Sequence, residues 1–286
     1  MRFRNKKKFV IILLLILLIT VFLIFQNNNL VISEYDYENN NIPSSFNGFK
    51  VVHISDLHNK LFGKDQRRIL KKVENIDPDI IVITGDLIDR KKYNLDKAMK
   101  FINGAIKIAP IYYVSGNHEA RSGKYSILQE QLLKAGVAVL DNEMIKIKKD
   151  NDLIDIIGVS DPAFVSDSLF EDSIIELEKT LENYKENDNF KILLSHRAEL
   201  FDIYFENNMD IIFSGHAHGG QIRIPFVGGI IAPDQGFFPK HSQGVYTNQD
   251  STMYVSRGLG NSLFPFRIFN RPEIIVVTLH QNWNVN

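Results

Sequence analysis

The sequence predicts an α/β (α+β) fold: a four-layer αββα sandwich, with two mixed β-sheets packed face to face and helices outside. Three observations carry this expectation. Short apolar runs rich in β-branched residues alternate with segments of helical periodicity. Two adjacent runs read as a hairpin, and the end of the chain reads as all strand. Alternating βα units joined by hairpins stack as layers of sheet and helix around a buried interior.

The elements follow in chain order. Phe9 to Phe25 is apolar except for Thr20, at the short end of the roughly 17–25 residues that span a bilayer. Arg2, Arg4, Lys6, Lys7 and Lys8 precede it, so the N-terminus is expected on the cytoplasmic side and the bulk of the chain outside. No small-residue cleavage motif follows, so an uncleaved anchor is favoured over a cleaved signal peptide. Residues 1–29 are thus read as basic flank, transmembrane anchor and polar tether, and 30–286 as the folded domain. Leu30 to Tyr37 alternates as a first strand, and Asn39 to Ser45 reads as a turn. Helical spacing appears over Gln66–Asn75, Leu95–Ile108, Tyr125–Ala135 (closed by Gly136), Ser168–Lys185 and Ala198–Asn207. Met144–Lys148 and Leu153–Ile157 flank Lys149 to Asp152 as a hairpin, and Thr252–Ser256 and Glu273–Leu279 read as late strands.

Composition narrows the function. The hydrophobic fraction is 44% and the charged fraction 23%, so a folded domain rather than disorder is expected. The formal net charge is −1 from 33 basic and 34 acidic residues; without the five basic residues of the first eight, 28 basic face 34 acidic, a net of −6. No nucleic-acid partner is expected of an acidic body. Cysteine is absent, which excludes thiolate metal sites, disulfides and cysteine nucleophiles and leaves His, Asp and Asn to hold any metal.

Five of the apolar runs end in such residues. Val51–Ser55 leads to Asp56 and His58, and Ile80–Gly85 to Asp86. Ile111–Gly116 leads to Asn117 and His118, Lys191–Ser195 to His196, and Asp210–Gly215 to His216 and His218. Open α/β sheets place ligand sites at the carboxyl ends of their strands, and Gly85, Gly116 and Gly215 suit tight turns there. Asp56, His58, Asp86, Asn117, His196, His216 and His218 exceed what one ion needs. With one carboxylate bridging they serve two divalent ions, and mixed N/O ligation without sulfur suits manganese, iron, zinc or cobalt.

In order, Asp56-Leu57-His58, Gly85-Asp86-Leu87-Ile88-Asp89, Gly116-Asn117-His118-Glu119, His196 and Gly215-His216-Ala217-His218 resemble the calcineurin-like metallophosphoesterase family. Gly219-Gly220-Gln221 and Ser256-Arg257-Gly258-Leu259-Gly260 look most like its membrane-associated YkuE/YaeI-type branch. The resemblance implies one metal on Asp56, His58, Asp86 and His218, and a second on Asp86, Asn117, His196 and His216. It makes His118 the catalytic histidine that contacts phosphate and protonates the leaving oxygen, a role the reaction requires of some group titrating near neutrality. Glu119 is read as orienting His118, and Asp89 as supporting a ligand from behind. Arg121 and Arg257 are the candidates for gripping phosphate.

Other residues have plainer readings. His53 sits inside a strand and is expected to pack, and His241 and His280 carry no motif; Asp65, Asp77 and Asp79 suit caps and turns. Asp161-Pro162 reads as a turn or a loop near the site. Phe226–Ile231 with Phe237-Phe238, and Leu263-Phe264-Pro265-Phe266, are apolar yet rich in Gly and Pro. Exposed, they would form a rim for a bilayer or acyl chain; otherwise they are ordinary loop packing. The expected activity is dinuclear metal-dependent hydrolysis of phosphodiester or pyrophosphate bonds, on a membrane- or envelope-associated and possibly lipid-linked substrate. Soluble nucleotides or phosphomonoesters are the alternative substrates, and a non-catalytic metal-binding module the alternative role. Oligomeric state is left open.

Overall fold

The computed structural model describes residues 2–165, 170–261 and 264–282. Helix α1 (Arg2–Asn28) leads into β1 (Val31–Asn39) and β2 (Lys50–Ile54). Then come α2 (Arg67–Ile76), β3 (Ile80–Thr84), α3 (Leu95–Ala105), β4 (Ile111–Val114), α4 (Asn117–Ala120), α5 (Tyr125–Lys134) and β5 (Ala138–Val139). The second half runs β6 (Glu143–Lys149), β7 (Asp152–Gly158), α6 (Phe170–Lys185), β8 (Phe190–Arg197), α7 (Phe201–Glu206) and β9 (Ile211–Gly215). Four short strands follow, β10 (Arg223–Ile224), β11 (Gly228–Gly229), β12 (Ile231–Ala232) and β13 (Gly236–Phe237), and then β14 (Gly244–Asn248), β15 (Ser251–Val255) and β16 (Glu273–Gln281).

Two six-stranded sheets form, ordered β1-β16-β2-β3-β4-β5 and β14-β15-β9-β8-β7-β6. Both are mixed: β2, β3, β4 and β5 run parallel while β16 opposes β2, and β15, β9, β8 and β7 run parallel while β6 opposes β7. Side chains alternate between faces along each strand. In β2 and β3, Val51, Ile80 and Val82 face the other sheet and meet Ile192, Leu194, Ile211 and Phe213. Val52, Ile54, Ile81 and Ile83 face outward under α2, α3 and α5, with Ile69, Val73, Phe101, Ile102 and Leu128. Leu193 and Ile212 of the second sheet turn toward α6 and α7, with Leu181, Phe201 and Tyr204. The result is the expected four-layer αββα sandwich, with apolar burial on both faces of each sheet as the main stabilising term.

Most expected elements form, with shifted ends. The helix expected over Leu95–Ile108 closes at Ala105, and the chain continues in turns through Ile108 to Ala109, where Pro110 disfavours further helical backbone. The fourth helix begins at Phe170; Ser168 and Leu169 of the expected segment lie outside the described residues. Gly136, at φ +87°, ends α5 as expected.

Lys6–Asn28 of α1 is long and apolar enough to cross a membrane. Its last turns are not loose. The Phe22 ring lies edge-on to Phe269, with centroids 5.5 Å apart. The Asn27 side-chain carbonyl accepts from Asn261 Nδ2 (2.9 Å) and from the Arg267 backbone N–H (3.2 Å). Lys60 Nζ donates to the Asn27 backbone carbonyl and Arg68 to that of Asn28.

Candidate metal centre

The five expected strand ends converge on one crevice between the two sheets. The chain leaves them under constraint: Asp56, Asp86, His58, His216 and His218 all adopt positive φ, between 45° and 65°. Non-glycine residues enter that region at a cost of order 1–3 kcal/mol, and such strain concentrates at functional sites. Of the three glycines expected to allow turns, only Gly85 does so by its own conformation, at φ +79°. Gly215 serves a different need. A Cβ there would stand 1.9 Å from Ser55 Oγ and 2.4 Å from Asp56 Oδ2, so its missing side chain lets the β9 end press against the Asp56 loop.

The ligand atoms fall into two groups that share one carboxylate. In the first, His58 Nε2 lies 3.1 Å from His218 Nε2, 3.5 Å from Asp86 Oδ2 and 3.8 Å from Asp56 Oδ1, and His218 Nε2 lies 3.2 Å from Asp56 Oδ1. In the second, His196 Nε2 lies 3.4 Å from the same Asp86 Oδ2, 3.1 Å from Asn117 Oδ1 and 3.2 Å from His216 Nδ1. Donors about 2.1 Å from an ion in tetrahedral array are about 3.4 Å from one another. The observed separations match such edges in two sets of donors that share Asp86. Asp56 Oδ1 is buried with no hydrogen-bond partner, which a cation would satisfy. The donor set fits divalent ions of the manganese, iron, zinc and cobalt class.

Supporting groups fix each ring. His196 Nδ1–H donates to the Thr84 carbonyl (2.7 Å), leaving Nε2 free to ligate. His216 Nε2–H donates to Asp234 Oδ2 (3.0 Å), leaving Nδ1 for the centre. Asp234 also pairs with Arg197, whose Nε and Nη2 donate to Asp161 at 2.7 and 2.9 Å. Arg197 is buried, and Asp161 holds it there as an ion pair. Burial lowers His58 to about 3 and His218 well below the ordinary imidazole value, so both stay neutral, as metal ligation would require. Burial alone would raise Asp86, but His196, His118 and His58 hold its carboxyl well below the usual range.

The supporting residues expected from sequence occupy the site with some changes of partner. Asp89 Oδ2 stands 4.0 Å behind His58 Nδ1. The Glu119 carboxylate is bonded elsewhere than to the His118 ring. It accepts from the backbone N–H of Asp86 (2.7 Å), Ile88 (3.1 Å) and Gly116 (2.8 Å), so it pins the Asp86 loop. What orients His118 is the backbone N–H of Arg90, which donates to Nδ1 at 3.2 Å. The neutral ring then carries its proton on Nε2. Burial pulls the His118 imidazole below its ordinary value, opposed in part by Asp86 and Asp89. Arg121 lines a cavity of about 120 Å³ together with Asp86, Asn117, His118 and His216. Arg257 turns away to Glu273, at 2.7 Å. The value of its neighbourhood lies in the backbone: Leu259 N–H and Gly260 N–H donate to the Ser55 and Asp56 carbonyls and clamp the loop that carries Asp56 and His58.

Arg90, Asp234 and Arg197 were not singled out from sequence, and Asp161 only as a turn or nearby loop. Arg197 follows His196 directly, so a signal existed, but an arginine at a strand end is ordinarily solvated. His53 packs as expected, its Nε2 2.7 Å from Thr84 Oγ1.

A model of calcineurin-like phosphoesterases matches residues 49–220. Among similar proteins is the uncharacterized metallophosphoesterase YkuE of Bacillus subtilis, 29% identical over 86% of this chain and 84% of its own. Phosphodiesterase YaeI of Escherichia coli is 26% identical over 81% of this chain and 82% of its own. A transmembrane protein with metallophosphoesterase domain of Bos taurus is 30% identical over 83% of this chain and 54% of its own.

Proposed function

The chain belongs to the calcineurin-like phosphoesterase family, and from that premise we propose that it is a membrane-anchored member acting on phosphoesters at the bilayer surface or in the envelope. It is a metal-dependent phosphoester hydrolase. The observation that carries the reading is the sharing of Asp86 Oδ2 by two sets of nitrogen and oxygen donors. Asp56, His58, Asp86 and His218 would hold one ion, and Asp86, Asn117, His196 and His216 the other. When bound, two divalent ions, manganese foremost, supply Lewis acidity to the phosphoryl oxygens and bring water toward ionisation near neutral pH.

The side chains around them do the rest. His118 presents Nε2–H to the phosphoryl group or the leaving oxygen, and the Arg90 amide keeps it in that tautomer. Arg121, beside His118 in the crevice, pairs with a phosphate oxygen in the geometry an arginine fork favours. Glu119 holds the Asp86 loop through three amides, so the shared carboxylate is preorganised. Asp89 steadies His58.

The apolar helix and the transmembrane relative support a membrane anchor. The basic flank supports a cytoplasmic N-terminus and an extracytoplasmic domain in a single-pass arrangement, residues 1–29 serving as anchor and tether and 30–286 as the catalytic domain. A test is turnover of bis-(p-nitrophenyl) phosphate by the manganese-loaded chain, beside a phospholipid in vesicles. Activity on the lipid that disappears in Asp86→Ala supports the reading. Activity on the soluble ester alone would move the substrate off the membrane, and activity on neither would sink the hydrolase role.

A further inference from the structure

A cavity of about 530 Å³ opens beside the metal-binding crevice and shares His118 with it. Its walls carry Lys60, Lys91, Lys92 and Lys97 against a single carboxylate, Asp89. Asp89 is itself engaged, accepting at 2.8 Å from the backbone N–H groups of both Lys91 and Lys92. Burial pulls the Lys60 ammonium down to about 7, so the excess is that of Lys91, Lys92 and Lys97 over Asp89, two cations in a body whose net charge beyond the first eight residues is −6. Such concentration of one sign in a concave wall raises the local concentration of anions.

The position of this cavity is fixed relative to α1. Lys60, one of its walls, donates Nζ to the Asn27 carbonyl. Asn261, another wall, donates Nδ2 to the Asn27 side chain and to the Pro265 carbonyl, and Pro265 also lines the cavity. The 23 residues of Lys6–Asn28 rise about 34 Å, against a hydrocarbon core of about 30 Å. Phe25 is the last apolar residue, and Asn27 lies about 3 Å further along the axis, within a headgroup layer roughly 5–7 Å deep. With α1 as the anchor, the Lys60 and Asn261 side of the cavity would stand at headgroup depth. Phe264 and Phe266 flank Pro265 and are 40% and 45% exposed, and Phe269, which touches Phe22 of the helix, is 52% exposed. The Phe264 and Phe266 rings meet edge to face, with centroids 6.2 Å apart.

We infer that the lysine-walled cavity is a subsite for a second anionic group on a membrane-resident phosphoester. The scissile phosphate would sit at the Asp86 crevice, and the lipid tail would remain in the bilayer beside Phe264 and Phe266. This rests on the hydrolase reading above and adds a substrate class: an amphiphile with at least one phosphate-like charge beyond the bond that is cleaved.

The test uses the full chain in two formats. In vesicles, manganese-loaded chain is offered phosphatidylglycerol or phosphatidylglycerol phosphate, which share tails and a phosphodiester but differ by one phosphate. In detergent micelles, calorimetry reads binding of glycerol 1,3-bisphosphate and of glycerol 3-phosphate, without turnover or a bilayer. Charge-assisted bonds contribute enough that kcat/KM should favour the doubly phosphorylated lipid by about tenfold or more. The Lys91→Gln/Lys92→Gln/Lys97→Gln variant should lose that preference and bind the bisphosphate about tenfold more weakly, with little change for the monophosphate. Lys60 is kept, because it also holds α1. An equal loss on both lipids with the bisphosphate still bound would assign the lysines to the bilayer surface and overturn the subsite. No preference in the parent chain would also overturn it. Failure on bis-(p-nitrophenyl) phosphate and on both lipids would instead sink the hydrolase reading, while the calorimetry would still accept or reject the subsite.

Discussion

Replacing Asp161 with alanine isolates the support behind His196 and His216. Asp161 holds the buried Arg197 guanidinium through two bonds, at 2.7 and 2.9 Å. Each charge-assisted bond contributes about 1.5–3 kcal/mol net. Removing both leaves a guanidinium only 2% exposed, with Asp234 and Glu199 as its remaining anions. Breaking one side of a buried pair costs about 3–5 kcal/mol, and the two remaining anions place Asp161→Ala near the lower end. Asp161→Asn keeps one acceptor and should cost about half as much. Urea unfolding of the full chain in micelles, with chelator present, reads both by circular dichroism. At a slope near 3 kcal/mol/M, about 3 kcal/mol moves the midpoint by about 1 M. An alanine cost below about 1 kcal/mol, or an asparagine variant as damaged as the alanine one, would refute the argument that this ion pair is desolvated and stabilising.

Three further outcomes are expected. His118→Asn should retain its metal content, by elemental analysis, and lose about 10²–10⁴-fold in kcat; near-parental kcat would remove His118 from the chemistry. In the metal-free chain, burial lowers His196 but Asp86 outweighs it and raises the imidazole from 6.5 to about 10. Its folded value thus exceeds its unfolded one, so charged His196 stabilises the metal-free fold fully below pH 6.5, and this contribution fades as pH rises through about 10. Ligation needs neutral Nε2, so manganese affinity should rise with pH across about 7–9 with release of a proton, measured by calorimetry in buffers of different ionisation enthalpy; affinity that falls over that range contradicts the assignment. Phe264→Ser with Phe266→Ser should weaken turnover of a vesicle phospholipid by about tenfold through lost apolar contact, and unchanged lipid turnover would refute the rim role.

The layers and the convergence of the candidate ligands were legible because periodicity and burial are written in the chain. Val51, Val82 and Ile192 alternate with outward partners and so declare the space between the sheets. That the candidate ligands would meet was legible because each closes an apolar run. What was not legible depends on neighbours distant in sequence. Glu119 looked like a partner for adjacent His118, yet its carboxylate reaches across to Asp86 and Ile88. Arg257 looked like a phosphate grip until Glu273 of β16 claimed it. Asp234 lies in a loop between two-residue strands, with no periodicity to flag it, and its role comes only from reaching His216. The short helix at Asn117–Ala120 was missed as well, since four residues are too few for a helical pattern.

The central claim is that one carboxylate oxygen of Asp86 serves both cation positions. Anomalous diffraction from crystals of the manganese-loaded chain tests it most directly. Two peaks about 3.5–4 Å apart, one on each side of Asp86 Oδ2, are the predicted result. A single ion, or two ions of which Asp86 touches only one, would contradict it.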